Sequence, residues 1–348
     1  MLIGARGIKM PNKIKIAIDA MGGDNAPSEI VKGAVAALES HDINLALLGA
    51  EDQISTELSK LSYPKERVEI VNCTEVIGVD ESPAVAIKQK KDSSLVVGFN
   101  LLKKGEADAL VSAGSTGALL AGATLIVGRI PGIERPALAT LLPTEKGFTF
   151  MLDSGANVDC KPSYLLQFAR MGSLYMENVL GIKSPKVGLV NIGSEKEKGN
   201  QMVKEAYVLL EGSGLNFTGN IEARDIPSGV CDVIVCDGFV GNVILKYMEG
   251  FAKSMFSMLK KELMSDSISK LGALLSKKAF GRLRASFDYS EVGGAPILGL
   301  KALVVKAHGS SDARAIKGAV RQSVMFAEND IVNKIKSSNP AKGEVQGE

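Results

Sequence analysis

The sequence predicts an α/β architecture of two lobes on mainly parallel sheets, with a long helical hairpin inserted. Three observations support this. Short apolar runs alternate with segments of helical period, the ends of those runs carry Gly-rich polar turns, and 348 residues at 45% hydrophobic content can bury a large core. The first run, 14–19, leads from Ile14 through Asp19-Ala-Met-Gly-Gly-Asp24 to a helix opening near Pro27 and Ser28. Gly22 and Gly23 can take φ > 0 and let the backbone approach a ligand, and proline fits the first helical turn. Strand, tight turn and helix N-terminus together favour an anion.

Further strands are expected at 43–49, 68–72, 109–113, 137–142, 148–153, 186–191, 233–236 and 303–307, with helices between most of them. This alternation argues for a mainly parallel sheet covered on both faces. Residues 14–336 read as one catalytic unit of two intertwined lobes, with flexible ends at 1–13 and 337–348.

Composition narrows the function. The 41 basic and 39 acidic residues leave a net charge of +2, which gives no reason to expect nucleic acid as a partner. Cys73, Cys160, Cys231 and Cys236 lack C-x-x-C spacing, and only His41 and His308 could join them on a metal. They read as reduced core thiols of a cytosolic protein, and no metal or cofactor is expected. No apolar run is long enough for a signal peptide or a membrane span, so the chain reads as soluble or peripheral.

The chemistry is expected at seven strand ends: Asp19–Asp24, Leu48–Asp52, Ser112–Gly117, Asp153–Asn157, Asn191–Glu195, Asp237–Asn242 and Lys306–Asp312. Loops at the carboxyl ends of parallel strands tend to converge on one cleft. Several Gly-rich turns there suit a phosphate or another oxyanion. Neither G-x-G-x-x-G nor G-x-x-x-x-G-K-[ST] occurs, which weakens a nucleotide reading. Ala113-Gly-Ser115-Thr-Gly117 approximates a nucleophile elbow, and Ser115, Asp237 and His308 follow the hydrolase chain order. Against a serine hydrolase, Ser115 can equally cap the helix that starts beside it.

Taken together, Asp19-Ala-Met-Gly-Gly-Asp24-Asn-Ala-Pro27, Ser112-Ala-Gly-Ser-Thr-Gly-Ala118, Asp153-Ser-Gly-Ala-Asn157, Asp237-Gly-Phe-Val-Gly-Asn242, Gly293-Gly-Ala and Lys306-Ala-His308-Gly-Ser resemble the bacterial acyl-ACP:phosphate acyltransferase family. The match spreads from about Ile14 to about Ile335, and Ser115 stands where that family usually has Asn. The resemblance implies acyl transfer from acyl carrier protein to inorganic phosphate, giving acyl phosphate for phospholipid synthesis. It also implies a homodimer and the fold shared by isopropylmalate dehydrogenases and phosphate acetyltransferases. An NAD-dependent hydroxy-acid dehydrogenase on that fold is the other alternative, although it would need an acidic metal cluster.

Acyl transfer to phosphate fits these residue types. Phosphate already bears attacking oxygens and a thiolate leaves readily, so the site needs a cradle and oxyanion donors rather than a covalent nucleophile. The expected catalytic set is His308, Lys306, Asn242 and Asp237. The expected cradle is Asp19, Gly22, Gly23, Asp24, Gly114, Ser115, Thr116, Gly117, Asp153, Gly155 and Asn157.

Residues 243–286 are of a different kind. Ile244, Met248, Phe251, Met255, Leu259 and Leu263 fall at helical spacing, and nine basic against three acidic residues make the segment +6. A helical hairpin here suits a dimer-packing stripe, a dock for acidic carrier protein, or contact with anionic lipid. The contact residues expected are Lys260, Lys261, Leu263, Met264, Ile268, Leu271, Lys277 and Lys278. Product destined for phospholipid synthesis places the protein in the cytoplasm, peripherally on the inner face of the membrane, near a membrane-bound downstream acyltransferase.

Overall fold

The computed structural model describes residues 13–286 and 293–338. Its strands are β1 (Lys15–Asp19), β2 (Asn44–Gly49), β3 (Val68–Asn72), β4 (Ala109–Ser112), β5 (Ala137–Thr144), β6 (Gly147–Leu152), β7 (Val187–Asn191), β8 (Phe217–Glu222), β9 (Val233–Val235), β10 (Ala295–Leu298) and β11 (Leu303–Lys306). The α-helices are α1 (Ser28–Ala37), α2 (Glu51–Leu58), α3 (Pro83–Gln89), α4 (Ser94–Lys104), α5 (Thr116–Gly122), α6 (Pro162–Asn178), α7 (Gln201–Glu211), α8 (Gly238–Leu263), α9 (Ser267–Leu275), α10 (Lys277–Ser286), α11 (Ala313–Glu328) and α12 (Ile331–Ser337). The ends expected to be flexible lie outside the described residues, apart from Lys13, Ser337 and Ser338.

All eleven strands join one sheet, in the order β3-β2-β1-β4-β11-β10-β5-β6-β9-β7-β8. Each of the nine expected strands is present within two residues of its expected bounds, and β8 and β10 are additional. β8 escaped notice because Phe217-Thr-Gly-Asn-Ile-Glu222 is half polar and carries a glycine, as an edge strand can. β10 has only four residues and includes Pro296. Its first two residues pair with β11 and its last two with β5, so it bridges the two halves of the sheet without full ladders on both sides.

The bridge inverts strand direction. β10 is antiparallel to β11, β5 to β10 and β6 to β5, while the remaining pairs are parallel. The strands of one half therefore point against those of the other. Register makes the two sets meet. Counted across β10 and β5, Leu152 at the end of β6 comes level with Val305, one residue from the end of β11. Val235 of β9 pairs with Leu152 at the same level. The half-sheets are thus staggered along the strand direction, and their carboxyl ends face one another.

Alternating side chains build cores on both sheet faces. Ile16, Ile18, Val111 and Val305 join residues of α1, α6 and α11, while Ala17, Leu110 and Val304 join residues of α4 and α5. On the second face the next residue along each of three adjacent strands is polar. Asp19, Ser112 and Lys306 stand side by side in register across β1, β4 and β11. All three are buried. The Asp19 carboxylate accepts from Ser112 Oγ at 2.7 Å and from Ser94 Oγ, at the start of α4, at 2.6 Å. The Lys306 ammonium donates to the carbonyls of Ala113 (3.2 Å) and Ala307. Burial pulls its pKa down to about 8, while the carboxylates of Asp19 and Asp24 oppose that fall.

Asp19 and Lys306 are opposite charges buried on one face with Ser112 between them, and removing one leaves the other without compensation. Lys306→Met is expected to cost about 3–5 kcal/mol of stability. The double variant Asp19→Asn/Lys306→Met should cost less than the sum of the two single variants. Urea denaturation of all three checks this, and strict additivity would mean that the two groups are not coupled.

Candidate functional site

Three loops of the first half interlock at the strand ends. A Cβ added to Gly22 would lie 2.4 Å from Asp19 Oδ2 and 2.7 Å from Gly114 N, so glycine is required for the 19–24 turn to seat on the 112–117 turn. The Asp24 N–H donates to Gly309 O at 2.8 Å, and Asn25 Nδ2 donates to Ser310 O (3.2 Å) and Ser311 O (3.1 Å). These contacts tie the 19–24 and 306–312 loops together.

Within the 112–117 turn, Gly114 N–H donates to Ser112 Oγ at 3.0 Å, extending the chain that begins at the Asp19 carboxylate. Ser115 is the N-cap of α5: its Oγ accepts from Ala118 N and its carbonyl from Leu119 N. The first N–H groups of a helix have no intrahelical acceptor, which leaves those of Thr116 and Gly117 facing outward. They supply hydrogen-bond donors at the positive end of α5.

His308 is half exposed in the adjoining loop. Ser310 N–H donates to His308 Nδ1 at 3.2 Å, and Ser310 Oγ lies 2.8 Å from the same atom. Nδ1 is therefore an acceptor, and the neutral ring carries its proton on Nε2. Burial and then the charge of Lys246 hold the pKa of His308 below the usual histidine value, against the pull of Glu249 and Asp24. At neutral pH the ring is a neutral Nε2–H donor.

Across from these loops stands the 153–157 turn. Asp153 is fully buried and accepts from the N–H groups of Leu138 (3.0 Å), Ala156 (3.1 Å) and Asn157 (2.6 Å), and from Asn157 Nδ2 (2.8 Å). Burial raises its pKa and these donors oppose the rise. Asn157 Nδ2 also donates to Pro136 O at 2.8 Å, so this amide holds the turn closed. Gly155, at φ +135°, lies beneath the exposed Asn242, 3.5 Å from its side chain to a Cβ built at Gly155. The turn and α8 are locked together by Gly238 N–H on Asn157 O at 2.7 Å, and a Cβ on Gly241 would come within 1.9 Å of Asp153 O.

Helix α8 runs out from the 153–157 turn, against which its Gly238 and Gly241 are seated. Lys246 Nζ and Glu249 Oε2 are 2.8 Å apart. Of the seven expected strand-end loops, 19–24, 112–117 and 306–312 are tied to one another, and 153–157 and 237–242 to each other. Leu48–Asp52 opens α2, where Glu51 N–H donates to Asn72, and Asn191–Glu195 folds against Lys198 and Asn220.

Several of the expected site side chains are engaged within the fold. Asp237, expected in the catalytic set, accepts through Oδ1 from Val240 N at 2.8 Å as the N-cap of α8. Asp19, Asp153 and Asn157 were expected in the cradle, but their polar atoms hold the loops from within. Lys306, expected in the catalytic set, turns its ammonium onto the carbonyls of Ala113 and Ala307. The triad is not assembled, since Ser115 and Asp237 cap helices and His308 Nδ1 is engaged by Ser310. In the segment expected to be a hairpin, α8 runs from Gly238 to Leu263, and after a break at 264–266 come the two short helices α9 and α10. Ser94, Lys246 and Glu249 were not singled out. Ser94 meets Asp19 from 75 residues away, a pairing without local signal. The i,i+3 charges of α8 could have marked Lys246, but read as part of a basic face.

The cysteines supply no activated thiol. Burial pushes Cys73 to about 11 and Cys160 to about 12, and raises Cys231 and Cys236 as well. Among the described residues, no group of three or more His, Cys, Asp or Glu could hold a metal ion.

Comparison with known proteins gives the family and the fold. The family model described as "Fatty acid synthesis protein" matches residues 14–334. The phosphate acyltransferase of Alkaliphilus oremlandii is 53% identical over 331 residues, covering 95% of this chain and 99% of the relative. A phosphotransacetylase from Streptococcus pyogenes shares the fold, with a TM-score of 0.62 at 17% identity over 91% of this chain and 94% of that one. So does a branched-chain phosphotransacylase from Enterococcus faecalis, with a TM-score of 0.55 at 14% identity over 90% of this chain and 99% of the other. From 14 to 334, the chain belongs to the fatty acid synthesis protein family, which includes phosphate acyltransferases.

Proposed function

We propose that this phosphate acyltransferase moves a fatty acyl group from an acyl carrier protein thioester to inorganic phosphate by direct attack. One observation carries the mechanism: the site offers hydrogen-bond donors but no activated nucleophile. Ser115 Oγ caps α5 and the thiol pKa values are raised, whereas His308 Nε2–H and the N–H groups of Thr116 and Gly117 remain as donors. In the proposed step a phosphate oxygen bonds to the thioester carbonyl carbon and the C–S bond breaks. The thiolate leaves with the electron pair and takes up a proton from water. The products are an acyl phosphate and the free thiol.

The α8–α10 surface supports a membrane contact for delivery of that product. Ile268 is 85% exposed and Leu275 79%; Met264, Leu271 and Leu274 are exposed too, while Leu263 is partly covered. Lys260, Lys261, Lys277 and Lys278 surround them in the open. Apolar side chains within a basic field suit reversible attachment to an anionic surface. Among the described residues no helix is long and apolar enough to cross a membrane. A second copy of the chain or acidic carrier protein could use the same surface, and the family resemblance supports a homodimer.

Rapid quench with labelled acyl donor and no phosphate should leave the protein unlabelled. Adding phosphate should give an acyl phosphate that hydroxylamine traps. Stoichiometric label on Ser115 or on a cysteine would overturn direct attack.

His308→Ala should lower kcat by about 10²–10³, the usual cost of losing an oxyanion donor, while His308→Gln retains more activity because the amide still donates. Equal loss in the two variants would remove the donor role.

Ile268→Glu and Leu271→Glu should weaken salt-sensitive binding to anionic vesicles without loss of activity in solution. Unchanged sedimentation with vesicles would make the surface a protein contact only. Loss of soluble activity would assign it to the carrier protein or to a second copy.

A further inference from the structure

We infer that the fatty acyl chain of the donor lies along the outer face of α5 and the turn that follows it, from Gly117 to Leu125, and that this face sets the preferred chain length. The inference rests on the acyl-to-phosphate reading above and gives the apolar part of the donor its place.

From Ser115 to Gly128 the sequence carries no charged residue. A helix that is apolar all round is ordinarily buried, because a solvated face is marked by charged and polar side chains. This one is open on one side. Ala118, Leu119, Gly122, Ala123 and Val127 are buried, whereas Gly117 and Leu125 are exposed and Leu120, Ala121, Thr124 and Ile126 are half-buried. Leu125 is 57% exposed.

The backbone is unusual at that leucine. After Gly122 the helix widens into a π-helical turn, Ala123–Val127, closed by Gly128 N–H on Ala123 O at 2.9 Å. Leu125 is the central residue of this turn. Single π turns are rare and occur frequently at functional sites.

Helix α3 gives the face an edge. Pro83 Cγ is 2.8 Å from a Cβ built at Gly117, and Ile87 Cδ1 is 2.8 Å from one built at Gly122. The two helices therefore run side by side in the same direction, with Pro83 against the first turn of α5. A side chain at position 117 would collide with the proline ring, so the face starts from bare backbone.

Continuity with the donors decides what covers it. Gly117, Ala121 and Leu125 recur at i, i+4 and i+8, the second and third about 6 Å and about 12 Å along the axis from the first. A thioester whose carbonyl oxygen accepts from the N–H groups of Thr116 and Gly117 has its acyl chain at the head of this line. The uncharged surface offers an acidic carrier protein nothing to pair with. One helix face of this length is also far smaller than the roughly 800 Å² that each partner contributes to a protein interface of standard size. An alkyl chain needs neither charge nor breadth.

The test is steady-state kinetics at saturating phosphate with carrier protein thioesters from butyryl to palmitoyl. In the parent, kcat/KM should rise about 4-fold for each methylene that the face covers and then level off. Leu125→Glu puts a charge at the far end, so butyryl transfer should be unchanged while palmitoyl transfer falls about 10–20-fold, the worth of two covered methylenes. Ala121→Phe blocks the face halfway, and its loss should set in at shorter chains than that of Leu125→Glu; Leu125→Met should behave as the parent. Equal loss at every chain length, loss at none, or the reverse order of the two positions would overturn the inference. So would a smaller sedimenting species for Leu125→Glu with equal loss throughout, which would make the face a contact between copies. A decanoyl thioester with a diazirine at the chain end adds a binding readout. On irradiation it should label residues 121–128 of the parent, and label on α8 instead would give the chain to that helix and overturn the assignment. If the parent yields no acyl phosphate from any thioester, the acyl-to-phosphate reading fails while the label still locates the chain; an active parent with a flat response removes this face alone.

Discussion

The row Asp19, Ser112 and Lys306 is the constraint on which the site depends. Three parallel strands end in register with a carboxylate, a hydroxyl and an ammonium on one buried face. Unpaired, each of these charges would be costly in that environment; together they are compensated. Their hydrogen bonds then propagate outward. Ser112 passes from the Asp19 carboxylate to Gly114 N–H, and Lys306 grips the carbonyl of Ala113. The loop that presents Thr116 and Gly117 is shaped from below by groups that never face substrate.

A second buried carboxylate does the same in the other half. Asp153 gathers the N–H groups of Leu138, Ala156 and Asn157, and its turn seats against the start of α8. The two organising carboxylates come from half-sheets of opposite direction, and stagger brings their carboxyl ends to one level. The usual expectation that ligands bind where parallel strands end is met here by two sets of ends pointing at each other.

Helix α8 has two duties on separate faces. Val240, Ile244, Leu245 and Met248 pack on the core of the second half, and Asn242 lies against the Gly155 turn. Beyond Met248 the helix carries Phe251 and Met258 in the open, followed by α9 with no buried residue. An apolar, basic surface of this extent is more than scattered exposed side chains would produce.

The order of strands and helices was legible in the sequence, because burial on both faces writes itself as apolar runs such as Ile14–Ile18 and as helical periodicity such as that of Ile244–Met248. The Gly-rich turns were legible too, since only glycine tolerates the approach of Gly22 to Gly114. The roles of individual polar residues were decided by tertiary structure. Asp19 looked like a ligand contact and Asp237 like a catalytic one, yet the first is satisfied by Ser94, 75 residues away, and the second by the opening turn of its own helix. β10 was hidden by its brevity and Pro296, although it sets the stagger on which the cleft depends. A sequence records which residues can carry charge or cap a helix; which of those options a side chain takes depends on partners that only the folded register supplies.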